Sequence, residues 1–171
     1  LQNYKKRIMA STVTASTLTV SLTESINLNG QEMGATNTFT VASVNEVYKR
    51  ILSCTANSET RIVDFHSSVS DAAVTPVDVQ DAKYIRVTNL DDTTSITLSL
   101  QIDVGEDDTT ADESASVLLE AGQSFVMGTP HDSLGVSDAN ANLVTDLVDL
   151  ESIIVFTGST AIDVEVFVAS V

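Results

Sequence analysis

Two stretches of this sequence place apolar residues at every second position without a miss, and nothing else in the chain constrains its fold as strongly. Ile96, Leu98, Leu100, Ile102 and Val104 are separated by Thr97, Ser99, Gln101 and Asp103. Ile162, Val164, Val166 and Val168 recur in the same way. A step of two puts such residues on one face of a strand, whereas a helix would scatter them around its axis. Leu98, Leu100, Ile102, Val164, Val166 and Val168 are therefore expected in the core, where full burial of each is worth roughly 1.5–3 kcal/mol. The same period runs through Leu18, Val20 and Leu22, and again through Phe39 and Val41. Between these runs lies Asn29-Gly30, two residues that tolerate φ > 0, so Thr17 to Leu28 and Thr38 to Ser43 are expected to form a hairpin or loosely closed pair.

The remaining segments read mostly as further strands. Val44 to Cys54 carries two patterns. Ser43-Val-Asn-Glu46 matches a helical capping box, yet Val47, Lys49 and Ile51 alternate with Tyr48, Arg50 and Leu52 as a strand would. The neighbouring strands favour strand here. Thr60 to Phe65 and Lys83 to Leu90 are expected strands, with Ser67 to Ala82 a loop and Asp91 to Thr94 a turn. Val117 to Met127 predicts one bent strand or two short ones around Ala121-Gly122. Gly128 to Ala141 is a long irregular stretch, of the length usually given over to function or contact. Leu143, Leu147 and Leu150 suggest a short helix over Asn142 to Ser152. Ile153 to Phe156 and Ile162 to Ala169 close a hairpin around Gly158-Ser159. Val, Thr and Ser supply 22, 21 and 20 of the 171 residues, and the β-branched pair favours pleated surfaces. The length suits one domain. Together these point to an all-β chain, a single jelly-roll-like β-sandwich of about eight or nine short strands. Residues 1–8 would be an N-terminal arm and residues 9–171 the sandwich.

Charge excludes some partners. The chain has eight Lys+Arg against 24 Asp+Glu, a net −16. Every base lies at or before Arg86, so residues 87–171 carry acids alone. Nucleic-acid binding needs clustered Lys or Arg to displace counterions, and anionic membrane surfaces attract such clusters too. Neither partner is expected. No apolar stretch approaches the 18 residues of a membrane-spanning helix. The single Cys54 cannot form an internal disulfide, which fits folding in a reducing compartment and equally a secreted protein without bridges. The chain starts on Leu1, which fits either processing or a start at Met9; the segment behind the basic cluster is too polar for a secretory signal.

Candidate chemistry is sparse. Cys54, His66 and His131 are far apart in sequence, and Gly122-Gln-Ser124 and Gly135-Val-Ser137 lack the second glycine of a nucleophile elbow. No catalytic or cofactor-binding residue is expected. Paired carboxylates are plentiful, but with no Trp, three Tyr and five Phe a sugar groove would lack stacking platforms. The acidic loop reads first as a solvated tip. Its alternative is a Ca²⁺ site at Asp103, Asp107, Asp108 and Asp112, since hard cations want several oxygens at once, although the spacing and central glycine of a calcium loop are absent. Asp91-Asp92 is a second acidic cluster. Lys5, Lys6 and Arg7 hold three of the eight bases, and are expected to make an assembly contact with an acidic neighbour.

Several phrases of the sequence resemble a group of small virion structural proteins of marine tailed phages. They are Ser16 to Gly30, Gly34 to Ile51, Lys83 to Asp92, Leu119 to Val126 and Asp163 to Ser170, strand-and-turn segments spanning most of the chain from Met9 onward. The resemblance implies a virion component, most concretely a capsid decoration or cement protein whose partners are the major capsid protein or other virion proteins. It implies no catalytic residues. A homo-oligomer is expected. The alternatives are another self-assembling subunit (tail tube, tail fibre, neck or cell-surface filament) and, after it, a secreted binding module or hydrolase.

Overall fold

In a computed structural model, residues 13–66, 76–103, 113–128, 135–136 and 148–171 are described. They form strands and turns only: β1 (Ser16–Thr23), β2 (Asn27–Leu28), β3 (Gln31–Glu32), β4 (Thr36–Val44), β5 (Glu46–Cys54), β6 (Glu59–His66) and β7 (Pro76–Asp78), then β8 (Ala82–Asn89), β9 (Ile96–Asp103), β10 (Glu113–Leu119), β11 (Ser124–Gly128), β12 (Gly135–Val136), β13 (Val148–Phe156) and β14 (Ile162–Ser170). No helix occurs among the described residues. One sheet runs β11-β8-β14-β5, and the other runs β10-β9-β13-β6-β7, with β12 added beside β13. All pairs are antiparallel except β6 with β7.

The inward faces of the two sheets meet in one apolar core. Ile85, Val87, Val164, Val166 and Val168 come from the first sheet, and Ile62, Val63, Leu98, Leu100, Ile153 and Val155 from the second. All six residues picked out by alternation, Ile102 among them, are buried to 6 % exposure or less. Val104, the last residue of the first run, lies outside the described residues.

Period two breaks at two bulges. Ile153 pairs with Val63 and Ile154 with Arg61, which leaves Ile62 as an extra residue in β6. The bend lets Ile62 and Val63, neighbours in sequence, both point inward. On β13, Leu150 pairs with Ile102 and Ser152 with Gln101, leaving Glu151 extra. Leu150, Ile153 and Val155 are all buried, at steps of three and two. The helix expected over Asn142 to Ser152 from Leu143, Leu147 and Leu150 is corrected from Val148 onward, where the segment is strand and Leu150 belongs to its buried row; residues 142–147 lie outside the described residues.

Other expectations change less. Ser43 adopts φ 61 at the bulge where β4 leaves its partner, so the apparent capping box is a kink between two strands. The loop expected over Ser67 to Ala82 contains β7, whose Pro76 opens a short edge strand, a place where its missing N–H costs no ladder bond. Val77 and Val79 are buried beside it. Val117 to Met127 resolves into β10 and β11, with Gly122 at φ 70 in the turn. The acidic loop, read from the sequence as Gly105 to Ser114, ends earlier, because β10 begins at Glu113.

Candidate functional site

Among the described residues β1 and β4 pair only with each other, and they form a hairpin that covers the outer face of the β11-β8-β14-β5 sheet. Leu18, Val20, Phe39 and Val41 share its inward side and pack on Tyr84, Phe167 and Ala169. The Tyr84 ring stands 6.1 Å from Phe39 and 5.9 Å from Phe167, both in the tilted geometries aromatic pairs favour. The opposite side of the hairpin is a ladder of hydroxyls, with Ser21–Thr38 at 3.0 Å and Thr23–Thr36 at 3.1 Å.

The apolar side outruns the surface it covers. Leu22 continues the row of Leu18 and Val20, yet it projects into solvent with Ile26, Leu28 and Met33, all 54–64 % exposed. Ile26 and Met33 flank the β2–β3 pair, where the Met33 N–H donates to the Ile26 carbonyl at 2.9 Å, so Ile26, Leu28 and Met33 lie together at the tip. The tip is held in shape by its own polar groups. Glu32 accepts from the Ile26 N–H at 3.1 Å and the Gly34 N–H at 2.8 Å, and Asn27 accepts from Gly30 at 3.1 Å. Asn29 and Gly30 take φ 53 and 80, as a two-residue hairpin turn requires. A Cβ at Gly34 would lie 2.1 Å from the Glu24 carbonyl oxygen, so glycine is obligatory there.

A second surface without a partner among the described residues lies on the far side of the body, the outer face of the β9/β10/β13 sheet. Its cross-strand rows are Leu118–Thr97–Phe156–Glu59 and Ser116–Ser99–Ile154–Arg61. Two adjoining recesses of about 420 and 320 Å³ share Thr97 and Phe156. Leu118 is 64 % and Phe156 43 % exposed. Hydroxyls and an amide line the floor, where Gln101 Nε2 donates to Ser99 Oγ at 2.8 Å. A third crevice, about 250 Å³, lies under the hairpin between Leu18–Ser21 and Tyr84, Arg86 and Phe167. Beside it Glu165 bridges Arg86 and Lys49, the latter at 3.4 Å, and the Arg86 hydrogen bond holds the Glu165 carboxyl below its ordinary range.

Of the residues singled out for chemistry, Cys54, His66 and Asp103 fall among the described residues, on β5, β6 and β9. Cys54 is fully buried and its thiol is pushed up by that burial. His66 closes β6, and His131 lies outside the described residues. Asp107, Asp108 and Asp112 also lie outside them, as do Lys5, Lys6 and Arg7, while Asp103 pairs through its backbone with Asp149. Among the described residues no three metal-ligating side chains converge. Asp91 is committed to its own turn: its carboxylate accepts from the Thr93 N–H at 2.8 Å and the Thr94 N–H at 2.7 Å, and is held low by them.

Sequence reasoning missed Asn89. It is fully buried, and its Nδ2 group donates to the carbonyls of Thr94, Leu119 and Glu120 at 2.8, 3.3 and 3.2 Å. Its Oδ1 accepts from the Asp91 N–H at 3.1 Å. One side chain thus ties together the turns that follow β8 and β10. The only signal for it was an Asn at the end of an apolar strand.

No protein-family model matches the chain, and no curated protein matches it. Among solved structures it is similar to a chain from Bacillus, from work describing endospore appendages as a novel family of disulfide-linked pili. The likeness has a TM-score of 0.39 and 10 % identity, and covers 74 % of this chain and 86 % of that one.

Proposed function

We propose that this chain is a structural subunit that works by contact within a larger assembly, and in finer form that it decorates the shell of a tailed-phage head. The observation that carries the proposal is the hairpin tip, where four large apolar side chains project from the body into water. Contiguous exposed apolar surface on a soluble domain marks a contact site. The strand orders support a jelly-roll sandwich: β5, β6, β8, β9, β10, β11, β13 and β14 alternate between the two sheets except at the β9–β10 hairpin. Viral capsid domains use that architecture, as do lectins and cupins, so it supports the proposal by analogy only. The phage resemblance of the strand-and-turn phrases favours the virion as the location and the major capsid protein as the partner. No catalytic step is assigned.

A second reading, a subunit of a tail, neck or filament, is favoured by a different observation: the two unpartnered surfaces are unlike and lie on opposite sides of the body. Co-expression with the major capsid protein of a marine tailed phage, followed by gradient sedimentation and electron microscopy, tests both. Decoration predicts that the chain sediments with shells in regular array. Filaments or stacks formed without shells favour the second reading. A chain that neither binds shells nor associates with itself would refute both.

A further inference from the structure

We propose that the hairpin tip carries a self-modification site at Asn29, where the side-chain amide is lost and the residue becomes aspartate or isoaspartate. The step needs no enzyme and no cofactor. The backbone nitrogen of Gly30 attacks Cγ of Asn29. The new N–Cγ bond forms, the bond from Cγ to Nδ2 breaks, and ammonia leaves with the proton that Gly30 gives up. Water then opens the resulting cyclic imide at either carbonyl. One opening gives aspartate. The other gives isoaspartate, in which the backbone runs through Cβ.

Three observations place the step here. The attacking nitrogen is unshielded, because Gly30 has no side chain and the space where a Cβ would stand holds no atom within 4 Å. The leaving amide is free. Asn29 is exposed and makes no side-chain hydrogen bond among the described residues, whereas the Asn27 and Asn89 amides are both bonded. The turn can also open. Ring closure needs rotation about the Asn29 Cα–C bond, out of the tight turn. The ladder holding that turn is two pairs long, Asn27 with Glu32 and Leu28 with Gln31, so opening is local and cheap. No other asparagine in the chain precedes glycine. Asn57 shares a positive φ, 55, but Ser58 follows it.

The two products alter the tip differently. Aspartate tolerates φ > 0 and keeps the turn, but it adds a negative charge beside Leu28 on a tip that already holds Glu24 and Glu32. Isoaspartate puts an extra carbon into the backbone of a two-residue turn, so the Leu28–Gln31 pair cannot keep its register. The bonds from the Ile26 and Gly34 N–H groups to Glu32 would go with it, and Ile26, Leu28 and Met33 would no longer be held together. The modification stands on its own chemistry. Its consequence, a finite working life for the apolar tip, rests on the assembly role proposed above.

The test incubates the full native chain at pH 6 and pH 8 and follows each asparagine by mass spectrometry of digests, with fragmentation that separates aspartate from isoaspartate. Residue 29 is expected to lose its amide before any other asparagine. The rate should rise with pH, because the Gly30 nitrogen must shed its proton, and isoaspartate should be among the products. Asn29→Gly keeps the turn and should lose the change altogether. Glu32→Ala removes both bonds that shape the tip and should speed conversion several-fold. Residue 29 that keeps its amide in the native chain, over a period in which the chain unfolded in guanidinium chloride converts, overturns the proposal. So does another asparagine converting first, or aspartate as the sole product, which would mean hydrolysis without the ring. A Glu32→Ala rate no faster than wild type overturns the step of local opening. Converted chain that binds shells and associates as fresh chain does leaves the site standing and counts against the tip as the contact.

Discussion

At the scale of single residues, stability turns on a few polar groups placed where apolar ones would be expected. Asn89 faces three carbonyls with one amide group, so the donors cannot be removed without stranding acceptors in the core. Asn89→Ala is expected to lower unfolding free energy by about 1–3 kcal/mol, read as a shift in the urea midpoint. Asn89→Asp should cost more, because a carboxylate would face those oxygens. A midpoint unchanged in both variants would mean that water replaces the amide. Cys54 gives a second check. A buried thiol with a raised pKa presents little thiolate, so iodoacetamide at pH 8 should label it only after denaturation. Labelling of the native protein at the rate of a free thiol would contradict its placement. Glu165 sets a pH dependence. Its folded pKa is depressed by Arg86, so its contribution is fully present above the ordinary carboxylate range and is lost as pH falls through the folded value. The melting-temperature gap between wild type and Glu165→Gln should therefore be widest near neutrality and close in acid. A constant gap from pH 7 to pH 3 would rule that cause out.

At the scale of elements, bulges decide what alternation cannot. β9 keeps period two from end to end and β14 keeps it as far as Val168, and these buried faces are legible from residue order alone. β6 and β13 do not, because Ile62 and Glu151 are each an extra residue against the partner strand. A bulge depends on the strand opposite, which lies far away in sequence. The hairpin tip is an element of another kind, shaped by local bonds and touching little else. Gly34→Val should therefore disorder the tip, seen as faster amide exchange across residues 24–36, while the melting temperature of the body changes little. A large loss of global stability would show that the tip folds as one unit with the core.

At the scale of the whole molecule, a third layer lies outside the two-sheet body. The hairpin buries Tyr84 and Ala169 on a sheet face that would otherwise meet water. Beyond that cover its apolar side has no partner among the described residues, and this is the feature on which the proposed assembly role depends. Self-association must work against a net charge of −16 per copy. Association measured by sedimentation should strengthen as salt rises and screening grows. Removing Leu1 to Ile8 leaves five basic residues against 24 acidic ones, so the truncated chain should associate more weakly, with the deficit largest at low salt. Equal association of both chains across that range would exclude a charge role for Lys5, Lys6 and Arg7.

Residue order by itself determined the all-β class, six buried positions on two strands, the Asn29-Gly30 turn and the division of charge, because each is a local property of side-chain period, backbone preference or composition. Only the tertiary structure decided which apolar rows are covered. Leu18, Val20 and Leu22 read as one equivalent face, yet the first two rest against the body and the third projects past its edge. No local pattern distinguishes them, because burial is set by where the partner surface ends. The same holds for Asn89, whose partners lie up to 31 positions along the chain, and for the recess, whose rows are assembled from β6, β9, β10 and β13.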